Sequence, residues 1–190
     1  MLRVTSGRLK GLNLQGPGKR GKFRPTEEKV REALFSMIEA RKRGSFLDLY
    51  AGSGAVGLEA LSRGHHPVFF VEQSPKHFKI LKQNTSLISS KNPEMDQAMG
   101  LSRSSALAFL SKHREAFDIV FCDPPYAKVD KELVIALLQR VQVKPEGLLI
   151  LEHHRKWSSP DELPASWRYQ GRRDYGNSSL SFYEKTSKAR

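Results

Sequence analysis

The 190-residue sequence contains a single cysteine, Cys122, and no long apolar run. One thiol excludes an internal disulfide and a metal site built from cysteines. None of the six histidines is followed by another at the i+4 spacing of a helical metal site. Every apolar run is shorter than about 18 residues, the length that a membrane-spanning helix needs, and the N-terminus lacks the apolar core of a secretory signal. We therefore expect a cytoplasmic protein that binds no metal and enters no membrane.

Acidic residues are also few: 20 against 32 lysines and arginines, for a formal charge of +12. Residues 1–43 hold 12 basic and 4 acidic residues, residues 155–190 hold 8 and 4, and residues 44–154 hold 12 of each. A neutral middle between basic ends indicates a nucleic-acid partner, although the same charge could serve solubility alone. The first 26 residues contain seven basic residues and no acidic one, which favours the nucleic acid.

The succession of apolar patterns predicts an α/β protein. Residues 1–43 are expected to form a basic N-terminal extension that consists of a short hairpin, a basic loop and a helix capped by Thr26 and ending near Arg43. Residues 44–185 would form the core domain, and residues 186–190 a frayed tail. The core strands are predicted at 46–50, 68–72, 97–101, 117–122 and 148–152, with a polar loop at 89–97 and a final antiparallel pair near 167–169 and 180–183.

A glycine-rich turn follows the first core strand. Gly52, Gly54 and Gly57 match the pattern G-x-G-x-x-G, which lets a ligand approach the backbone at a helix N-terminus. Glu72 ends the second strand 20 residues after Gly52, where a carboxylate can accept hydrogen bonds from both ribose hydroxyls of a nucleoside. A tight turn without a ligand and a solvated strand-end acid are the alternatives. The strand and helix that flank the glycines favour a nucleoside site.

The apolar strand that ends at Cys122 runs directly into Asp-Pro-Pro-Tyr, residues 123–126. Cys122 is expected to be an inert core thiol. Prolines make a stiff turn in which the Asp123 carboxylate and the Pro124 carbonyl can both face a cleft. Two acceptors can hold the hydrogens of a planar aryl amine and direct its lone pair at an electrophile, while the ring of Tyr126 stacks on the base. The alternative is a rigid surface turn.

In an open α/β sheet, ligands bind at the carboxyl ends of the strands. The glycine turn, Glu72 and Asp-Pro-Pro-Tyr all follow strand ends, so they are predicted to share one cleft. One part of this cleft would hold a nucleoside cofactor and the other a planar amine.

With these motifs, the sequence resembles the RsmD family of 16S rRNA guanine-N2 methyltransferases. The resemblance rests on residues 48–64 (DLYAGSGAVGLEALSRG), on Asp-Pro-Pro-Tyr, and on Arg24-Pro25-Thr26 before a helix. It implies a Rossmann-like class I methyltransferase fold: a mostly parallel seven-stranded sheet with helices on both faces and an antiparallel C-terminal strand. It also implies that S-adenosyl-L-methionine binds with its methionine part near Asp48 and the turn of Ala51, Gly52, Ser53 and Gly54. Glu72 would hold the ribose, and residues 123–126 would surround the target amine, with Asp123 also next to the cofactor.

One position departs from the family pattern. The family usually has an acid just before an Ala-x-x-Phe-Leu segment, where it holds the adenine amino group. Here Ser105 precedes residues 106–110 (ALAFL). A hydroxyl can accept a hydrogen bond but is a weaker acceptor than a carboxylate.

The predicted reaction is direct transfer of the sulfonium methyl group to guanine N2 of 16S rRNA, which leaves S-adenosyl-L-homocysteine. The enzyme is expected to act as a monomer, on rRNA that is free or within an assembling 30S subunit. The residues expected to hold RNA phosphates are Lys10, Lys19, Arg20, Lys22 and Arg24. The alternatives are the same chemistry on DNA adenine or cytosine or on protein glutamine, an NAD-dependent oxidoreductase, and an RNA-binding protein without activity.

Overall fold

The computed structural model describes residues 2–16 and 25–187, without the side chains of residues 25–27 and 126. Seven strands form one sheet, in the order β3-β2-β1-β4-β5-β7-β6. The strands are β1 Phe46–Leu49, β2 Val68–Val71, β3 Met99–Ser102, β4 Phe117–Cys122, β5 Val143–His154, β6 Trp167–Tyr175 and β7 Ser178–Lys185. The helices are α1 Pro25–Ile38, α2 Ala55–Ser62, α3 Pro75–Lys91, α4 Ala106–Lys112 and α5 Lys131–Arg140.

The first five strands are parallel, whereas β7 runs antiparallel to β5 and β6 antiparallel to β7. Buried residues alternate between the two faces of the sheet, because successive side chains of a strand point in opposite directions. Phe46 and Phe70 join a core cluster with residues of α1, α2 and α3, and Leu47 and Val120 join another with residues of α4 and α5. The predicted Rossmann-like architecture, with helices on both faces, is confirmed.

The N-terminal segment packs on the α1 and α2 side of the sheet. The predicted hairpin is reduced to one antiparallel bridge, Arg3 to Asn13, with the Val4 N–H donating to the Leu12 carbonyl at 3.0 Å. Its apolar side chains, Leu2, Val4, Leu9 and Leu14, are buried in the same cluster as α1. The segment is therefore held mainly by tertiary packing and not by strand pairing.

A buried carboxylate also anchors this segment. Glu59 of α2 is fully buried and accepts hydrogen bonds from the Thr5 N–H at 2.8 Å, the Thr5 hydroxyl at 2.7 Å and the Ser6 N–H at 3.0 Å. Arg63 pairs with it at 2.9 Å and Arg31 at 3.6 Å. These hydrogen bonds and ion pairs offset the cost of removing the carboxylate from water.

Several predicted boundaries at the N-terminal side were wrong. The first helix begins at Pro25, so Thr26 lies inside it and is not its N-cap; proline suits the first turn because its missing N–H has no partner there. The helix also ends at Ile38, five residues before Arg43. After Ile38 the chain turns, and Arg41 donates to the Glu146 carbonyl at 2.7 Å, so a tertiary contact replaces the next helical turn.

Two further boundaries differ in the second half of the sheet. The predicted polar loop at 89–97 consists of the end of α3 and a 3-10 helix, Pro93–Ala98, so the third strand begins at Met99 instead of residue 97. The fifth strand is longer than residues 148–152, because β5 pairs with β4 on one side and β7 on the other. A register shift opposite Phe117 and Ile119 lets the strand continue through Pro145.

Candidate active site at the carboxyl edge of the sheet

Three neighbouring strands end at the same level. Leu49 is in register with Val71 of β2 and with Cys122 of β4. The chain continues from these ends with the Ala51 N–H donating to the Val71 carbonyl at 2.9 Å and the Asp123 N–H donating to the Leu49 carbonyl at 3.4 Å. The glycine turn, Glu72 and Asp123 are thereby brought to one edge, as the spacing of the motifs predicted.

Two glycines of the G-x-G-x-x-G pattern, Gly52 and Gly57, have different structural roles. Gly52 has a φ of +56°, and a Cβ added to it would meet no atom within 4 Å, so its outer side is open for a ligand. Gly57, in α2, is closed in: a Cβ there would lie 2.3 Å from Cε1 of the buried Phe70. Gly52 therefore leaves room beside the backbone, and Gly57 lets α2 pack closely on β2.

Glu72 connects the turn to α3. It is 6% exposed; its Oε2 accepts from the Gly52 N–H at 2.8 Å and its Oε1 from the Ser74 N–H at 2.7 Å. Ser74 in turn caps α3, which has Pro75 in its first turn. A carboxylate oxygen has two lone pairs, so each can accept a second hydrogen bond from a ligand hydroxyl.

Asp48 lies beneath the turn and is 2% exposed. Its Oδ2 accepts from the Gly57 N–H at 2.9 Å. Burial raises the pKa of Asp48 to about 7; the Gly57 N–H opposes this rise and the charge of Glu72 adds to it. The carboxyl group is therefore close to half ionised near neutral pH, and a cation bound beside it would favour the ionised form.

Asp123 and Pro124 follow β4 directly, with Asp123 exposed and Pro124 buried. Residues 126–128 form a 3-10 turn, and the predicted stacking ring of Tyr126 lies outside the described side chains. Cys122, one residue earlier, is fully buried, and burial raises the pKa of its thiol further above the physiological range. The thiol is thus the inert core group that was expected.

Tyr50 lies next to the candidate site, although the sequence did not predict it there. It links β1 to the glycine turn with a φ of +67°, a conformation that non-glycine residues rarely adopt. Its ring packs against the α4 and α5 side of the core, and burial raises the pKa of its phenol to about 12. Its place between a strand end and a glycine turn is the one signal in the sequence that could have identified it.

Asn84 of α3 joins three parts of the molecule. The fully buried amide accepts from the Gln15 N–H at 2.7 Å and donates to the Gln15 carbonyl at 3.0 Å and the Ser53 carbonyl at 2.8 Å. Asn84 is therefore a hydrogen-bonded structural amide. The amide links the N-terminal segment to the glycine turn.

Ser105 lies past the end of β3 and caps α4, accepting from the Ala108 N–H at 3.3 Å. The hydroxyl is exposed at the same sheet edge. Of the residues predicted to contact RNA, Lys10 is exposed on the N-terminal segment. The other four, Lys19, Arg20, Lys22 and Arg24, lie outside the described residues.

Within residues 2–16 and 25–187, no group of three histidine, cysteine or carboxylate side chains is placed to hold a metal ion. No helix in this part of the chain is long and apolar enough to cross a membrane.

Comparison with known proteins finds relatives that match nearly the whole chain. A family model described as Conserved hypothetical protein 95 matches residues 2–184. Ribosomal RNA small subunit methyltransferase D of Escherichia coli K12 is 30% identical over 186 residues, covering 97% of this chain and 90% of the relative. The Haemophilus influenzae protein of the same name is 31% identical over 187 residues, covering 96% and 93%.

Solved structures match as well. The Escherichia coli protein yhhF has a TM-score of 0.79 at 28% identity, with 98% of each chain covered. The Thermus thermophilus protein TTHA0928 has a TM-score of 0.75 at 30% identity, with 96% of this chain and 98% of the other covered.

Proposed function

This chain belongs to the RsmD family, described as Conserved hypothetical protein 95, and we propose its reaction from that premise. The proposed reaction is the transfer of a methyl group from S-adenosyl-L-methionine to the exocyclic N2 of a guanine in 16S rRNA. The observation that carries the proposal is the meeting of the glycine turn, Glu72 and Asp123 at the carboxyl ends of adjacent strands. The relatives' names support an rRNA substrate and methyl transfer.

The residues of the edge fit the cofactor. S-adenosyl-L-methionine supplies a methyl group on a positively charged sulfonium and leaves as S-adenosyl-L-homocysteine. Asp48 and the turn of residues 51–54 would hold the methionine part, since a buried carboxylate and an open glycine backbone suit a cation and a close ligand. Glu72 would accept hydrogen bonds from the ribose hydroxyls, and the Ser105 hydroxyl would accept one from the adenine amino group.

The chemistry at the target nitrogen is assigned to Asp123 and Pro124. Guanine N2 is a poor nucleophile because its lone pair is delocalised into the ring. The Asp123 carboxylate and the Pro124 carbonyl would each accept a hydrogen bond from one N2–H group, which draws the nitrogen towards tetrahedral geometry and turns its lone pair towards the methyl donor. As the bond from sulfur to the methyl group breaks and the bond from N2 to it forms, the nitrogen becomes cationic, and it then releases one of its two protons to water. The guanine must leave its stack to enter the cleft, where Tyr126 would stack on it.

The basic character of the protein supports RNA as the substrate. The formal charge of +12 and the seven basic residues among the first 26 suit contacts to phosphates. Lys10, Lys19, Arg20, Lys22 and Arg24 would make such contacts with little sequence preference, and RNA shape would select the site. The chain would act as a monomer on free rRNA or on an assembling subunit.

The test is methyl transfer with labelled S-adenosyl-L-methionine to separate pools of 16S rRNA, 30S subunits, DNA and protein, followed by mass analysis of nucleosides. We expect N2-methylguanosine in 16S rRNA only. Label in DNA adenine or cytosine, or in protein glutamine, would contradict the RNA assignment. Binding of NAD but not S-adenosyl-L-methionine in calorimetry would contradict the cofactor.

A matched pair of variants tests the mechanism. Asp123→Asn should retain cofactor binding and lose two or more orders of magnitude in turnover, because a neutral amide is a weaker acceptor for the amine hydrogens. The control is Asp161→Asn, since the Asp161 side chain is 93% exposed and its pair with Lys131 lies at the surface. Equal turnover in the two variants would refute the role of Asp123.

A further inference from the structure

One face of α3 lines a groove that leads away from the candidate active site. The groove is open to solvent and has a volume of about 790 Å³. It begins at Pro75, three residues after Glu72, and continues along the helix to Ser90, about 23 Å at 1.5 Å per residue. One end of the groove therefore lies next to Glu72, at the edge of the sheet that carries the candidate site.

The groove is basic and contains no acid. Its lining includes Lys79, Lys82 and Arg103, all exposed, and none of its ten lining residues is a carboxylate. None of these three cations forms an ion pair with the carboxylates that the structure describes. By contrast, three of the four arginines that line a second cavity, next to α1, pair with glutamates: Arg8, Arg41 and Arg63.

The charge of α3 is not explained by helix stability. Its 17 residues include four lysines and no acid, so no i, i+4 pair of opposite charge forms within it. Lys76 and Lys79 stand near the N-terminus, where the helix dipole disfavours cations. Lysines in this arrangement repel one another unless an anion lies beside them.

The groove also offers an aromatic ring and a link to the cofactor turn. Phe78 lines it while packing on the core, so a half-buried ring is available for stacking. Gln15 lines it too and is held by Asn84, the amide that also bonds Ser53 of the glycine turn. A cationic groove with an aromatic ring is typical of sites for single-stranded nucleic acid.

We propose that this groove holds the single-stranded RNA segment that flanks the target nucleotide, with Lys79, Lys82 and Arg103 contacting its phosphates. The inference rests on the proposed function, because it takes the substrate to be RNA. Unpaired RNA fits the site because a target base can leave its stack at least cost where it is already unpaired.

The test compares two triple variants with the same loss of charge. In K79Q/K82Q/R103Q the groove loses its cations. In K112Q/R114Q/R140Q three exposed cations are removed near the C-terminal ends of α4 and α5, at the opposite edge of the sheet. Affinity for a 16S rRNA fragment with an unpaired target segment, and for the same fragment with that segment fully paired, is measured against salt concentration. Cofactor affinity and thermal unfolding are measured as well.

We expect the groove variant to bind this RNA 10- to 100-fold more weakly, on the order of what three lost phosphate contacts give, with unchanged cofactor affinity. The slope of log K against log salt should fall by about 2, since each contact to a single strand contributes about 0.7. The control should change affinity by less than about threefold. The charge-conserving variant K79R/K82R/R103K should bind like the wild type, which separates charge from any structural effect.

Equal effects of the two triple variants would overturn the groove assignment. A loss that appears only with fully paired RNA would overturn the single-stranded occupant. Failure of the proposed function is seen separately, because wild-type protein would then not methylate rRNA at all. If wild-type protein methylates rRNA and the groove variant binds it normally, only the groove inference fails.

Discussion

Replacing Asp48 by asparagine should make the protein more stable at alkaline pH and leave its stability unchanged in acid. The wild-type carboxyl is buried, and burial raises its pKa from 3.8 to about 7. Between these pH values the folded chain binds a proton that the unfolded chain has lost, so the free energy of unfolding falls as pH rises and levels off above pH 7. The neutral amide in Asp48→Asn has no such dependence.

The magnitude follows from the proton affinity. Each pH unit between about 5 and 7 lowers the wild-type free energy of unfolding by about 1.4 kcal/mol through this group. The difference between Asp48→Asn and wild type should therefore grow by about 2–3 kcal/mol from pH 5 to pH 8. Comparing the two proteins at each pH cancels the other titrating groups, and Asp161→Asn, at an exposed position, is the control.

Urea unfolding followed by circular dichroism at several pH values measures this difference. A difference that stays constant from pH 5 to pH 8 would show that Asp48 does not titrate in this range. The same carboxyl should govern cofactor binding, because a bound sulfonium favours its ionised form. Wild-type affinity for S-adenosyl-L-methionine should rise about tenfold from pH 6 to pH 8, and Asp48→Asn should lack this rise in calorimetric titration.

Three further changes test the packing around the site. Glu59→Gln should lower the free energy of unfolding by about 3–5 kcal/mol, because Arg31 and Arg63 lose the charge opposite them, whereas Glu94→Gln at an exposed pair should change it far less; similar losses in urea unfolding would contradict the anchoring role. Gly57→Ala should lower the free energy of unfolding by about 1–3 kcal/mol, because the added Cβ would overlap the Phe70 ring, and an unchanged thermal midpoint would contradict this close packing. Asn84→Ala should lower the free energy of unfolding by about 2 kcal/mol or more and weaken cofactor binding. If calorimetry finds normal cofactor binding despite the loss of stability, Asn84 does not support the glycine turn.

The net charge of a segment of the sequence does not show where its charges lie in the folded protein. Residues 44–154 have equal numbers of acidic and basic residues and were expected to form a neutral core. In the folded chain these charges separate: Lys79 and Lys82 lie in a groove without acids, while Asp48 and Glu72 are buried at the strand ends. Net charge along a segment cannot reveal this, because a helix distributes its side chains around its axis and only one face lines the groove.

The sequence alone determined the architecture and the edge that carries the site. Strand, glycine turn and helix follow one another within 17 residues, and Glu72 follows 20 residues after Gly52, so covalent continuity and local periodicity place them. Tertiary structure decided the rest. Glu59 forms a hydrogen bond with Thr5, 54 positions away in the sequence, and Asn84 forms one with Gln15, 69 positions away. The pKa of Asp48 depends on burial by neighbours from other strands and helices. These features arise from pairs distant in the chain, which only the packed molecule brings into contact.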